Sequence, residues 1–255
     1  MSNFTEGFEP EKTGVKGLKL SLSDKWILTR LSALIKLTNE RFDKYDFGYM
    51  VQGLYDFWLK ELADYYIEAL KPVMKSNDEE AKKAAMNTLH ICLDSGLRML
   101  HPTMPYLTEE LFQRLPGKDR PESIVIAPFP SELESYDAED VEGSMNNLQV
   151  VVSKLRSQLA ALNIAKNANP SVFIQCSNEK IKGIFSSETE IFSSLVKAGE
   201  TKILGKSDSD PEGCVKTFIN EDLNVFIKVV GLIDIKLEID RVEKRITQLK
   251  DLMEK

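Results

Sequence analysis

The chain has 255 residues, 42% of them hydrophobic and 29% charged, enough to bury the cores of one or two ordinary domains. Its net charge of −7 argues against general adhesion to polyanions, so an RNA partner would have to meet local basic patches. No apolar run reaches the ~20 residues of a membrane span, and residues 1–19 are charged and lack the apolar core of a secretory leader. Cys92, Cys176 and Cys214 are odd in number and far apart, which excludes a zinc spacing and fits a reducing compartment.

Residues 1–20 carry Pro10, Gly14 and Gly17 among charges and read as a linker into the first helix. Ser21-Leu-Ser-Asp24 is a capping signal, and Ile27, Leu31, Leu34, Ile35 and Phe42 follow at helical spacing. Asp46 can cap a second helix with Met50, Val51, Leu54, Phe57, Trp58, Leu62 and Tyr65 on one side. Lys71-Pro72 marks its end, because proline disfavours helix geometry in the residue before it. Asn77 with Glu80 suggests the next start. Ala81, Ala85, Leu89, Cys92, Leu93, Gly96 and Leu100 keep the period until His101-Pro102 breaks it. A short helix is predicted from about Pro105 to Leu115. The expected result is an antiparallel bundle.

Pro116 to Ala138 reads as a connector with one extended patch, Ile124-Val-Ile126. Val141, Met145, Leu148, Val152, Leu155, Leu159 and Leu162 then repeat at alternating four- and three-residue gaps, a one-sided helix. Val172, Ile174 and Cys176 alternate as in a strand. One or two short helices are expected within Ile181 to Lys197, and a strand over Thr201 to Leu204. Cys214 to Ile219 and Leu223 to Val229 form a hairpin about Asn220-Glu-Asp222. Ile235, Ile239, Val242, Ile246, Leu249 and Met253 form a short coiled-coil seam. The fold class is mainly α. Residues 1–20 are a linker, 21–138 a helical bundle with connector, 139–232 a small α+β module, and 233–255 the start of a coiled-coil arm.

No phosphate-binding glycine loop, zinc pair or nucleophile elbow is present, so no catalytic or metal site is assigned. Charge is uneven. Glu11 to Lys44 holds eight basic residues against four acidic, while Lys154, Arg156 and Lys166 stand in a stretch without acids. Arg30, Lys36, Asn39, Arg41 and Lys44 lie on or beside the polar side of the first helix, where they can reach phosphates or base edges or form a solvated face. Tyr45 and Phe47 sit at a helix junction, open to stacking on unpaired bases. Helical spacing favours core packing for Trp58 and Tyr65, and Arg98 is expected to pair with Asp64 or Asp94. Thr108, Glu109 and Glu110 open a helix, where acids suit the dipole.

The set Phe57-Trp58, Asp64-Tyr65-Tyr66 and Lys71-Pro72 resembles the anticodon-binding helical domain of class I aminoacyl-tRNA synthetases. Within that class it is most similar to the valyl-tRNA synthetase family. The resemblance extends through Leu20 to Leu28, Leu93 to Arg98, His101 to Phe112, Ile126 to Pro130, Asn163-Ile164-Ala165 and Gly231 to Asp234. Lys166 to Asn169 departs from it, since relatives often place a proline soon after Asn-Ile. Leu89-His90-Ile91-Cys92 and Met74-Lys75-Ser76 share letters with class I nucleotide signatures but not their order or flanks, so neither counts.

The resemblance implies an anticodon-binding bundle, then a small α/β module, then a helical arm that contacts the tRNA elbow. It implies a cytoplasmic, monomeric, tRNA-binding part of a valine–tRNA ligase, with tRNA(Val) as partner and the catalytic half upstream. ATP and magnesium would serve that missing half, and no cofactor is expected here. Tyr45 and Phe47, with Arg30, Lys36, Asn39, Arg41, Lys44, Lys154 and Arg156, are the candidate tRNA contacts. The alternatives are a stand-alone helical scaffold pairing through its terminal heptads, and a tRNA-binding factor that never had a catalytic domain.

Overall fold

The computed structural model describes residues 7–117, 120–131, 133, 138–165, 168–206, 208–232, 239, 243, 246 and 247. The chain divides into two compact units, Met1–Met145 and Asn146–Lys255, and the division falls inside a helix.

In the first unit α1 (Leu22–Asp43) starts where the sequence says it should. Ser21 is the N-cap: its hydroxyl accepts from the Asp24 amide, and the Asp24 carboxylate accepts from the Ser21 amide at 2.9 Å. Asp24 is buried, and its second carboxylate oxygen accepts from the Tyr66 hydroxyl at 2.6 Å. Burial lifts this carboxyl above its ordinary pKa, against the opposing hydrogen bonds from Tyr66 and Ser21. Ile27, Leu31, Leu34 and Ile35 are buried as expected. Phe42 is not: it is 52% exposed, because the buried stretch of α1 ends at Thr38 and Phe42 lies one turn beyond it.

The second helix is continuous in three parts, α2 (Phe47–Tyr55), a π-helical segment (Asp56–Tyr66) and α3 (Ile67–Lys75). Here several expectations are corrected. Asp46 precedes α2 but makes no side-chain cap; its carboxylate is taken by Arg41. Val51, on α2 beside buried Met50 and Leu54, is exposed; Trp58 is only half-buried, because the wider i→i+5 turn shifts the helical phase away from 3.6 residues beyond Tyr55. Trp58 lies instead beside a satellite cluster of Leu97, Phe112, Leu115 and Ile124. Pro72 sits inside α3, so the helix runs on to Lys75.

α4 (Glu79–Leu100) is capped by Asp78, not Asn77: the Asp78 carboxylate accepts from the Ala81 amide at 3.0 Å. Gly96 is required on this helix, since a Cβ there would stand 2.8 Å from the Trp58 ring. Arg98 pairs with Asp94 at 2.8 Å, one of the two partners anticipated. α5 (Pro105–Gln113) follows the His101-Pro102 break. The patch Ile124–Ile126 is a 3-10 turn, not an extended segment. Glu109 on α5 fixes it by accepting from the Ser123 hydroxyl at 2.7 Å and the Ile124 amide at 3.1 Å.

α6 (Ala138–Ala161) carries the expected stripe: Val141 and Met145 are buried before the division, and Leu148, Val152 and Leu155 after it. The second unit then holds a four-stranded sheet, β1 (Val172–Cys176), β2 (Thr201–Gly205), β3 (Cys214–Asn220) and β4 (Leu223–Lys228), in the order β2-β1-β4-β3. β1 and β2 are parallel, connected through α7 (Glu179–Ser187) and α8 (Thr189–Val196). β4 pairs antiparallel with β1 and with β3, as the hairpin reading requires. Val172, Ile174 and Cys176 are buried in alternation, as are Phe185 of α7 and Phe192 of α8. The three thiols are free: Cys92 on α4 and Cys176 on β1 are buried, Cys214 on β3 half-exposed. Most of the expected seam at 233–255 lies outside the described residues; Ile239 and Ile246 are described and exposed.

Candidate nucleic-acid interface

α1 stops in a hydrogen-bonded motif that reverses the chain. The Tyr45 amide donates to the Phe42 carbonyl at 3.0 Å and the Asp46 amide to the Arg41 carbonyl at 2.9 Å. This pairing places the residue between the helix and its continuation in the left-handed region, and Tyr45 has φ +56°. Glycine is the usual occupant; a side chain there costs about 1–2 kcal/mol. The tyrosine ring is 81% exposed, so no burial of the ring offsets that cost.

The rings around it form an open cluster. Phe47 lies edge-on to Phe42 at 5.8 Å and to Tyr45 at 6.2 Å. Phe42, Phe47 and Tyr49 are also exposed, and the Arg41 guanidinium stands 5.0 Å over the Tyr49 ring. Exposed aromatic faces beside cations suit stacking on unpaired bases. Lys36, Asn39 and Lys44 are exposed toward the same end of α1, with Lys36 and Asn39 three residues apart on neighbouring positions of the helix surface.

The structure therefore gathers Lys36, Asn39, Arg41, Lys44, Tyr45 and Phe47 at the elbow between α1 and α2. It places Arg30 elsewhere, in ion pairs with Glu61 at 2.7 Å and Glu142 at 3.4 Å. In the second unit Lys154 is exposed on α6. Arg156 donates through Nε and Nη2 to the Leu195 carbonyl at 3.0 and 2.7 Å, which satisfies an acceptor at the end of α8. Phe57, Tyr65 and Tyr66 are buried, so their rings serve the bundle core; Trp26 meets Tyr65 edge-on at 5.0 Å.

Sequence reasoning missed Phe42 and Tyr49 as members of the cluster. The signal was density: Phe42 to Tyr55 holds five aromatic residues in fourteen, against 8% for the chain.

No helix among the described residues is long and apolar enough to cross a membrane. The family model described as the anticodon-binding domain of tRNA ligase matches residues 24–174, which include the whole elbow. The chain is 33% identical to the human valine–tRNA ligase over 94% of its own length and 19% of that protein's. It is 34% identical to the Clostridium acetobutylicum valine–tRNA ligase, over 90% of this chain and 26% of the relative. It is also 34% identical to the mitochondrial valine–tRNA ligase of Saccharomyces cerevisiae, over 96% of this chain and 22% of the relative. The chain thus spans about a fifth to a quarter of the length of the curated relatives it matches. These matches give no support to a stand-alone scaffold. With the helical bundle, the small sheet module and the residues matched, the chain belongs to the anticodon-binding domain family of tRNA ligases.

Proposed function

We propose that the chain binds the anticodon arm of a tRNA through the elbow between α1 and α2, as the tRNA-reading part of a cytoplasmic valine–tRNA ligase. The observation that carries this reading is the cluster of four exposed rings, Phe42, Tyr45, Phe47 and Tyr49, at one helix end. Tyr45 and Phe47 take the bases, flanked by Phe42 and Tyr49. Lys36, Asn39 and Lys44 reach the phosphates and base edges around them. Lys154, exposed on α6 in the second unit, is proposed separately as a phosphate contact. Arg30 and Arg156, engaged by Glu61, Glu142 and the Leu195 carbonyl, stay out of this interface.

On this reading valine, ATP and magnesium belong to the portion of a full-length ligase that the chain does not span. The 255-residue chain, acting as a monomer, is expected to show no valine-dependent ATP–pyrophosphate exchange, and measurable exchange would overturn this reading. Binding is tested by titrating the chain against valine tRNA and the same tRNA with its anticodon bases changed. Tyr45→Ala and Phe47→Ala lose about 1–3 kcal/mol each, the worth of a base stacked on an aromatic ring. Lys36→Ala weakens both RNAs alike and lowers the salt slope by about one. Equal affinity for the two tRNAs, with no loss in the aromatic variants, would leave only electrostatic adhesion.

A further inference from the structure

Arg41 looks at first like a phosphate ligand, a cation at the rim of a basic, aromatic elbow. Its surroundings describe another task. Its Nη1 donates to the Asp46 carboxylate at 3.0 Å, its carbonyl accepts from the Asp46 amide at 2.9 Å, and its guanidinium lies 5.0 Å over the Tyr49 ring. Residues 41, 46 and 49 are thereby tied to one another on both sides of Tyr45, the residue held at φ +56°. The Arg41 and Asp46 side chains are 35% and 34% exposed, whereas Lys36 and Lys44 are exposed and without an ion pair among the described residues. The pair is also neutral as a unit, so it adds no net charge to release counterions from a phosphate backbone.

We propose that Arg41 is a positioning residue. With Asp46 and Tyr49 it clamps the elbow so that the Tyr45 and Phe47 rings stand ready for bases before RNA arrives. This rests on the reading that the elbow stacks unpaired bases. The clamp limits the rotations and backbone excursions that a left-handed, solvent-exposed tyrosine would otherwise sample, so less order has to be imposed on binding. Lys36 and Lys44 remain the cations that meet phosphates.

The two roles predict opposite results for the removal of Asp46. If Arg41 positions, Asp46→Asn opens the clamp and harms recognition as Arg41→Gln does. If Arg41 binds phosphate, Asp46→Asn releases it and strengthens binding. The full chain is titrated over a salt series against an anticodon stem-loop RNA with the valine anticodon and against one with those bases changed. Circular dichroism melts confirm that the variants fold.

Arg41→Gln and Asp46→Asn are each expected to cut the preference for the valine stem-loop roughly ten-fold, the scale of one lost base stack. The salt slope stays unchanged in the double variant, which conserves net charge, and the double variant is no worse than either single one, as coupled residues require. The proposal is overturned if Arg41→Gln weakens both RNAs alike and lowers the slope by about one, or if Asp46→Asn tightens both RNAs alike and leaves the preference intact. Tyr45→Ala separates the two levels. If it leaves the preference intact, the base-stacking reading fails and takes the clamp with it. If it abolishes the preference while Arg41→Gln and Asp46→Asn preserve it, the reading stands and only the role of Arg41 falls.

Discussion

At its first turn α1 buries Asp24 between Ser21 and Tyr66; at its last it leaves Phe42, Tyr45 and Phe47 in solvent. The first end gives each carboxylate oxygen a donor and closes the bundle over it. The second places a side chain in a backbone conformation suited to glycine and gains no burial in return. The end of α6 shows that the strain is not a general cost of stopping a helix. There the Asn163 amide donates to the Ala160 carbonyl at 3.1 Å and the Ile164 amide to the Leu159 carbonyl at 3.0 Å, the same motif as at Tyr45. The left-handed residue there is asparagine, which tolerates the region, and the next residue, Ile164, is buried. The end of α8 repeats the motif with Lys197 at φ +59°, its amide donating to the Ser194 carbonyl at 3.3 Å and the Ala198 amide to the Ser193 carbonyl at 2.9 Å, so the residue at such an end varies with its site. On the proposed reading, the exposed Tyr45 ring is worth more to binding than a relaxed backbone is to stability.

This contrast can be broken at either end. The largest effect belongs to the closed one. Tyr66→Ala removes a fully buried ring and is expected to cost about 3–5 kcal/mol in urea melts. RNA affinity of the folded fraction stays unchanged. A loss under about 1 kcal/mol, far below that range for a buried aromatic, would show that this end is not the closed structure described.

Tyr45→Gly should move two quantities in opposite directions. Binding of valine tRNA weakens by about 1–3 kcal/mol as a stacking surface disappears. Stability rises by about 0.5–1 kcal/mol as the left-handed strain is relieved. A destabilised variant would mean that the ring supports the fold, and the two ends would then no longer differ in kind.

A third test uses pH. Burial raises the Asp24 carboxyl above its unfolded value of 3.8, so the folded chain keeps a proton that the unfolded chain releases. The resulting stabilisation is complete below 3.8 and is lost as pH rises through the raised folded value. Asp24→Asn keeps an oxygen for Ser21 and cannot titrate. The stability of the wild type relative to this variant therefore declines as pH increases from 3.8, read from urea melts at several pH values. The smallest effect is expected at Asn163→Gly, within about 0.5 kcal/mol in the same melts, since neither residue is strained there.

How much of this was legible depends on the range of the interactions involved. Ser21-x-x-Asp24 could be read because a capping box is contained within one turn. The stripe from Val141 to Leu155 and the hairpin about Asn220 to Asp222 were readable for the same reason, since local periodicity and turn chemistry fix them. Trp58 misled because the π-helical segment changes the period partway through a continuous helix, whereas Val51 precedes that segment and falls outside the face that Met50 and Leu54 bury. The 3-10 turn at Ile124–Ile126 depends on Glu109, fourteen or more residues away, and no local pattern announces it. At the elbow, Tyr45 and Phe47 could be recognised as junction aromatics, and Lys36, Asn39 and Lys44 as a polar face. The burial limit of α1, which turns Phe42 outward, and the occupied state of Arg30, Arg41 and Arg156 are set by tertiary contacts.

The three free thiols give the two units separate clocks. Cys92 is buried on α4 in the first unit and its thiol is pushed far up by desolvation; Cys176 is buried on β1 in the second, pushed up to about 11 by burial. Neither forms a reactive thiolate at neutral pH until its surroundings open, whereas half-exposed Cys214 is accessible from the start. A thiol reagent added to the native chain therefore labels Cys214 first. The later rates at Cys92 and Cys176 report the opening of the bundle and of the sheet module in turn. Equal rates under varied denaturant mean that the two units unfold as one; diverging rates mean that the bundle carrying the elbow and the sheet module open independently.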